Sequence, residues 1–115
     1  MTKVHVKFAS KFHLMFDKLL AMDTVRTALA NGEYKTRSHS FDVDANGEDA
    51  AEEVFDLTNN PSRQDERVEV YGMGRSVSSG DIVVVGEDQW VCLSVGWAKL
   101  HTCYNTTIAQ QKISV

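Results

Sequence analysis

The residues whose types and spacing come closest to a known chemistry are oxygen-bearing side chains near the middle of the chain. They are Asp42, Asp44, Asn46 and Glu53, with Gly47 after the asparagine. This order matches the loop of a helix–loop–helix calcium site, where oxygens at alternating positions surround the ion and a bidentate carboxylate closes the loop. One functional hypothesis is therefore calcium binding by these four side chains.

Three features of the same segment favour a structural role instead. The residues before Asp42 alternate as in a strand, whereas a calcium loop follows a helix. Asp49 stands where such loops usually carry an aliphatic residue, and no second loop of this kind occurs in the sequence. We therefore predict a strand end, a turn at Asn46–Gly47 and a helix from Glu48 onward, and we predict no metal site.

A second candidate is an anion cradle at Gly72-Met-Gly74-Arg75-Ser76. Glycines let backbone N–H groups approach a phosphate, and Arg75 and Ser76 would donate hydrogen bonds to it. The spacing fits neither the dinucleotide-binding motif nor the P-loop, which also requires a lysine and a following helix. The preferred interpretation is a glycine turn between two strands.

The histidines and cysteines show no spacing typical of a metal or catalytic site. They are His5, His13, His39, His101, Cys92 and Cys103. The two cysteines are too far apart for a zinc knuckle. On a strand, Cys92 would share a face with Trp90 and Ser94, which is typical of a small core residue. A Cys–His site that uses His101 is a minor alternative, and neither a catalytic residue nor a cofactor is predicted.

Charged side chains form two local groups. The acidic group comprises Asp42, Asp44, Glu48, Asp49, Glu52, Glu53 and Asp56. A solvated helix face that complements the helix dipole explains this group, and a negative surface that docks on a basic partner is the alternative. The basic group consists of Arg63, Arg67, Lys35 and Arg37. It forms a positive patch only if the fold brings its members together.

The elements that position these residues predict an α+β fold with an antiparallel sheet. Val4, Val6 and Phe8 alternate as in an opening strand. The apolar residues that follow have helical spacing and predict one or two N-terminal helices: Phe12, Met15, Phe16, Leu19, Leu20, Met22, Val25 and Leu29. A weak strand is predicted over 34–43 and a central helix over about 48–59, which Pro61 ends.

The second half of the chain is predicted to be rich in strands. A polar connection at Gln64–Arg67 leads to a strand that begins at Val68 and Val70. Gly80 and Asp81 then break the backbone ahead of a hairpin over about 81–95, in which Ile82–Val85 and Trp90–Val95 are the strands. Short strands over 100–107 and 113–115 complete the prediction, and the hairpin packs on the central helix.

Composition is that of one globular domain spanning residues 1–115. The chain has 43% hydrophobic and 24% charged residues and a net charge of −4, which argues against a general basic field for nucleic acid. No secretory leader or membrane-spanning apolar run is apparent. We therefore expect a cytoplasmic protein with reduced thiols and no membrane partner.

Three ordered segments carry a family resemblance. They are Glu52-Glu-Val-Phe-Asp-Leu-Thr-Asn-Asn-Pro61, Arg75-Ser-Val-Ser-Ser-Gly-Asp-Ile-Val83 and Cys92-Leu-Ser-Val-Gly-Trp97. Together they resemble small uncharacterised proteins of bacteriophages and bacterial mobile elements, over residues 34–100. The resemblance implies a phage-type accessory protein that acts in the bacterial cytoplasm, and it implies no particular activity.

Residue chemistry favours an architectural role for the second of these segments. Arg75 has several donors for loop carbonyls, and the serines satisfy backbone groups in a turn. Gly80 accommodates a positive φ, and Asp81 closes an Asx-type turn.

The leading functional hypothesis is a non-enzymatic accessory protein that binds a host or phage macromolecule, most simply a protein. Candidate contact residues are Tyr71, Arg75, Trp90 and Trp97, because tryptophan, tyrosine and arginine dominate the binding energy of protein interfaces. At least one tryptophan is expected in the core. The alternative is a nucleic-acid-binding module that uses Arg63, Arg67, Arg75 and exposed aromatic residues.

Overall fold

The computed structural model describes residues 1–10 and 18–100, and over these residues the fold is α+β, as predicted. In chain order the elements are β1 (Thr2–Ala9), α1 (Lys18–Ala30), β2 (Tyr34–Thr36), β3 (Phe41–Val43), α2 (Gly47–Asn59), a 3-10 turn (Pro61–Arg63), α3 (Gln64–Val70), β4 (Ile82–Val85), β5 (Asp88–Cys92) and β6 (Trp97–Leu100). The described strands form one antiparallel sheet in the order β2-β1-β4-β5-β6, and β3 also pairs with β1.

Strand β4 lies inside the sheet and separates two hydrophobic clusters. Val83 and Val85 belong to the cluster under α2, whereas Ile82 and Val84 belong to the cluster under α1. Successive side chains of a strand point to opposite faces, so both faces of β4 are covered by a helix. This explains why the strand reads as a continuous apolar run rather than an alternating one. The predicted hairpin is confirmed as β4 and β5.

Helix α2 confirms the predicted central helix and the strand–turn–helix junction ahead of it. Ala50, Val54 and Leu57 are buried at helical spacing and face the sheet. Asn46 precedes the helix but makes no side-chain cap. Its Oδ1 instead accepts a hydrogen bond of 2.6 Å from the Thr2 hydroxyl, which ties the junction to the first strand.

Residues 64–70 form helix α3, so the predicted polar connection and following strand are wrong. Asp65 and Glu66 lie in the first turn of the helix, where negative charge is favourable. Val68 and Val70 mimic strand alternation over too short a stretch to decide between the two structures. In the helix they point in different directions, and Val68 is 50% exposed.

The predicted strand over 34–43 is broken into β2 and β3. Both pair with β1 on the edge opposite β4, because β4 and β3 each pair with Val4. The polar residues between them carry no apolar side chain to hold a continuous strand against the core. The Arg37 N–H still donates to the Val6 carbonyl of β1 at 2.8 Å. The side chains of Arg37 and His39 reach the end of α3, where they bond to the carbonyls of Tyr71 and Val70.

The predictions for the N-terminal helices and for the C-terminal strands extend beyond the described residues. Helix α1 is continuous from Lys18 to Ala30, and Gly32, whose φ is +71°, lies in the turn that follows it. The apolar residues Phe12, Met15 and Phe16 lie outside the described part, as do the predicted strands beyond Leu100. Strand β6 runs over Trp97–Leu100, between the predicted hairpin and the strand predicted over 100–107.

The C-terminal end of α2 is joined to the loop before β4 by a buried hydroxyl. Thr58 is 3% exposed, and its Oγ1 accepts a hydrogen bond of 3.2 Å from the backbone N–H of Val77. The Ser76 hydroxyl donates a hydrogen bond of 2.6 Å to the Thr58 carbonyl. The side-chain amide of Asn59 donates to the Val77 carbonyl at 2.8 Å. The threonine therefore satisfies a buried donor that valine would leave unpaired.

We predict that Thr58→Val lowers the free energy of unfolding by about 1–3 kcal/mol, because the buried N–H of Val77 loses its acceptor while the side-chain shape is kept. Urea unfolding followed by circular dichroism measures the change. Thr27→Val is the matched control, since Thr27 is exposed on α1, and should be close to neutral. Equal stability of wild type and Thr58→Val would contradict the assignment.

Candidate functional site

The segment Arg75–Val83, one of the three on which the resemblance was based, is organised around the carboxylate of Asp81. This side chain is 1% exposed and forms a two-point ion pair with Arg75, with contacts of 2.7 and 2.8 Å. It also accepts backbone N–H bonds of 2.9 Å from Ala9 and 2.8 Å from Ser78. A carboxylate removed from water requires such partners, so this cluster of donors explains how the charge is buried.

Arg75 is held in turn by groups other than Asp81. Its guanidinium lies 4.3 Å from the ring centre of Phe8 and donates to the Ala9 carbonyl at 3.3 Å. Hydrogen bonding to Asp81 is the main cause that raises the pKa of Arg75, and burial opposes it. The side chain is still 46% exposed, but its donors are directed into the fold.

The other two family-like segments meet the Asp81 turn. The N–H of Gly80 donates to the Cys92 carbonyl at 2.8 Å, and the N–H of Cys92 donates to the Asp81 carbonyl at 2.9 Å. Thr58, near the end of α2, receives the bond from Val77 described above. The three segments are thus neighbours in space.

Tyr71 lies in the core and presents no surface to a partner. Its side chain is fully buried, and its hydroxyl donates to the Arg75 carbonyl at 2.6 Å. The ring packs edge-on against Phe41 at 5.8 Å between ring centres. Two guanidinium groups lie near the same ring, Arg37 at 3.9 Å and Arg67 at 5.6 Å from its centre. Burial is the leading cause of the raised pKa of the Tyr71 hydroxyl.

The two tryptophans share the sheet face that packs under α2. Trp97 pairs with Cys92 across β5 and β6, and Trp90 is two residues from Cys92 on β5. Both are half-buried against the α2 cluster. The Trp97 indole donates to Glu52 at 2.8 Å and packs edge-on against Phe55. Trp90 has a buried indole N–H that finds no acceptor among the described residues.

The outer side of α2 carries an acidic depression. Its volume is about 420 Å³, and it is lined by Asp44, Ala45, Asp49, Glu52, Glu53 and Asp56. Glu52, one of the lining residues, accepts the hydrogen bond from the Trp97 indole, so Trp97 lies beside the depression. We call this region, together with the exposed part of Trp97, the acidic α2 surface.

Arg63 neutralises one border of the acidic α2 surface. It pairs with Glu53 at 2.7 Å, Asp56 at 2.8 Å and Glu66 at 2.8 Å. These bonds, led by the one to Glu66, raise the pKa of the guanidinium. The bond to Arg63 is the leading cause that lowers the pKa of Asp56, and likewise that of Glu66. The carboxylates of Asp44 and Asp49 form no ion pair within the described ranges.

The sequence-based candidates therefore separate into different environments. Tyr71 and Arg75 are joined to each other inside the fold, whereas Trp90 and Trp97 lie on the α2 side of the sheet. Of the arginines considered for nucleic acid, Arg63 and Arg75 are held by carboxylates, and Arg67 lies beside Tyr71. Within the predicted basic group, the structure brings Arg37 and Arg67 together at that ring.

The calcium interpretation finds no ligand set in the described part of the chain. Asp42 lies in β3 opposite Lys3, and Glu53 projects from α2 to Arg63. No cluster of three or more acidic, histidine or cysteine side chains suited to a metal ion occurs among residues 1–10 and 18–100. His13, His101 and Cys103 lie outside these ranges. The hypothesis of a Cys–His site that uses His101 therefore falls outside the described residues.

Comparisons with protein-family models, curated proteins and solved structures find no match. The resemblance to small phage proteins therefore remains a prediction. Within the described residues, no helix is long and apolar enough to cross a membrane.

Sequence reasoning missed the partners that give two residues their roles. Arg37 was considered only as part of a basic patch, although it stacks on Tyr71. Phe55 was considered only as a residue of the predicted central helix, although it supports Trp97. Both contacts join residues far apart in the sequence. The glycines at 72 and 74 were the available signal for Arg37, because a Cβ at either position would crowd its guanidinium.

We predict that Cys92 resists thiol reagents while the protein is folded. Burial is the main cause that raises its pKa to about 12, and Asp81 and Glu52 add to the effect. In a Cys103→Ser variant at about pH 8, the native thiol should react at least about 100-fold more slowly than in urea, because the thiolate is the reactive form. Similar rates in the two states would contradict a buried thiol.

Proposed function

We propose that this domain is a non-catalytic binding module whose partner is a protein with a basic segment that docks on the acidic α2 surface. The observation that carries the proposal is the position of Trp97 beside the depression. Tryptophan is among the residues enriched in protein-binding hot spots, and the neighbouring carboxylates offer a charged surface that complements a basic partner. The family resemblance suggests the partner class, a host or phage protein in the bacterial cytoplasm.

The geometry supports binding because Trp97 is already fixed in place. Glu52 holds the indole N–H, and Phe55 packs edge-on against the ring. A side chain fixed before association loses less conformational entropy when the partner binds. Glu52 also lines the depression, so an aromatic anchor and a carboxylate reach the surface side by side.

Charge distribution supports a basic partner. The described part of the depression is lined by carboxylates, and Arg63 compensates those of Glu53 and Asp56 on one side. Asp44 and Asp49 are exposed on the other side. A lysine- or arginine-rich segment would find complementary potential there, which raises the rate of association and selects among partners.

Nucleic-acid binding is the less favoured alternative. It required Arg63, Arg67 and Arg75 to present free donors, and two of these three are occupied by carboxylates. The chain also has a net charge of −4. Phosphate backbones bind through counterion release from free lysines and arginines. Binding to single- or double-stranded probes at low salt, weakened by added salt, would favour this alternative over the protein partner.

We predict that Trp97→Ala weakens partner binding about tenfold or more, as expected for an interface anchor. Proteins captured from bacterial lysate by the wild-type domain are quantified, and the enriched protein is then purified and its affinity measured. Asp44→Asn with Asp49→Asn should weaken binding and reduce its salt dependence. Asp23→Asn on α1 is the matched charge control and should leave binding unchanged.

Two outcomes would overturn the proposal. One is that no protein is retained by the wild-type domain in preference to an unrelated control domain. The other is that the retained protein binds Trp97→Ala and the double aspartate variant as tightly as it binds Asp23→Asn.

A further inference from the structure

Two arginine side chains meet at the turn after α3, and no carboxylate of the described residues neutralises them. Arg37 comes from the gap between β2 and β3, and Arg67 from α3. Their guanidinium groups lie 3.9 and 5.6 Å from the ring centre of Tyr71. Neither takes part in an ion pair among residues 1–10 and 18–100. The two cations therefore share one small region without a counter-charge from that part of the chain.

Both arginines converge on the glycine turn. Arg67 donates to the Gly74 carbonyl, and Arg37 donates to the Tyr71 carbonyl. A Cβ atom on Gly74 would lie 3.0 Å from Nε of Arg37, and a Cβ on Gly72 would lie 3.3 Å from its Nη2. The glycines thus give the Arg37 guanidinium room at the turn, where Arg67 also arrives.

The donors of this pair are incompletely used. Nη1 of Arg37 and Nε of Arg67 are out of contact with solvent, and neither has an acceptor among the described residues. A buried donor without an acceptor is unfavourable. The bonds that the pair does make go to neutral carbonyl oxygens, and hydrogen bonds from arginine to a charged oxyanion are about twice as strong as neutral ones. An anion that replaced these carbonyls as the hydrogen-bond acceptor of the two arginines would therefore be favourable.

The residue at the tip of the turn offers little resistance to such an exchange. Met73 is 90% exposed, so its side chain does not anchor the turn to the core. Gly72 has a φ of +92°, and glycines on both sides permit backbone changes that other residues resist. The turn is held by the two arginine bonds that an anion would replace. Its ends are also held by a bond of 2.9 Å from the Gly72 N–H to the Arg67 carbonyl and by one of 2.6 Å from the Tyr71 hydroxyl to the Arg75 carbonyl, so the shift is confined to residues 72–74.

We propose that Arg37 and Arg67 form a binding site for a single phosphate-type oxyanion at the Gly72–Gly74 turn. The two guanidinium groups supply the charge and the donors, and the turn shifts to admit the anion between them. Planar guanidinium groups suit the geometry of phosphate oxygens. The oxyanion is either free phosphate or a phosphomonoester group on a larger molecule. The site is separate from the acidic α2 surface and does not depend on the proposed protein partner.

The experiment is a titration of the ¹⁵N-labelled protein with inorganic phosphate, followed by NMR at constant ionic strength maintained with sodium chloride. We expect saturable shifts of the amides of Gly72, Met73 and Gly74 and of the Nε–H groups of Arg37 and Arg67. Arg67→Gln should weaken binding about tenfold or more, since it removes one of two charged donors. Arg26→Gln on α1 removes the same charge elsewhere and should leave binding unchanged.

A parallel titration with phosphoserine identifies the source of the oxyanion. Tighter binding than inorganic phosphate assigns the site to a phosphate carried on a larger molecule, and equal or weaker binding assigns it to free phosphate. Shifts that do not saturate, that chloride reproduces, or that persist unchanged in Arg67→Gln would overturn the proposal. The chloride comparison uses the wild-type protein, so it decides the question even if a variant does not fold.

Discussion

The requirement to satisfy one buried carboxylate organises this fold. Asp81 is shielded from water at the start of strand β4, where an unpaired charge would be strongly unfavourable. Arg75 supplies the counter-charge, and backbone N–H groups from β1 and from the preceding turn supply further donors. These partners come from different parts of the chain, so they are correctly placed only when β1, the turn and β4 are assembled together.

The groups that satisfy Asp81 are engaged within the fold. The donors of Arg75 are used by Asp81 and by nearby carbonyls, and Tyr71 is buried, although Ser78 and Ser79 of the turn are exposed. The two surfaces that we propose for binding lie elsewhere: the acidic α2 surface with Trp97, and the Gly72–Gly74 turn with Arg37 and Arg67. The sequence suggested Tyr71, Arg75 and the tryptophans as contact residues. In the structure Tyr71 and Arg75 bond to groups within the fold, whereas Trp97 is half-buried beside the acidic depression, which is why we propose it as the contact residue.

Local signals made much of the fold predictable, whereas long-range contacts were not. Ile82–Val85 and the turn after it predicted the hairpin, because β-branched residues and a glycine-containing turn act over a few residues. The central helix, predicted over about 48–59, was also a local signal, and the spacing of its buried residues Ala50, Val54 and Leu57 agrees with it. Helix α3 was missed because seven residues hold too few turns to show a helical period. The meeting of Arg37 with Arg67, and of Trp97 with Phe55, depends on strand pairing and helix docking that residue spacing does not reveal.

The central claim is tested most directly by a double-mutant cycle on Arg75 and Asp81, measured as the free energy of unfolding in urea. Arg75→Gln should be destabilising by about 3–5 kcal/mol, because it leaves a buried carboxylate without its counter-charge. Adding Asp81→Asn should recover part of that loss, so the double variant should be less destabilised than the sum of the single variants. Additive effects, or a change below about 1 kcal/mol for Arg75→Gln, a size typical of exposed ion pairs, would contradict the account.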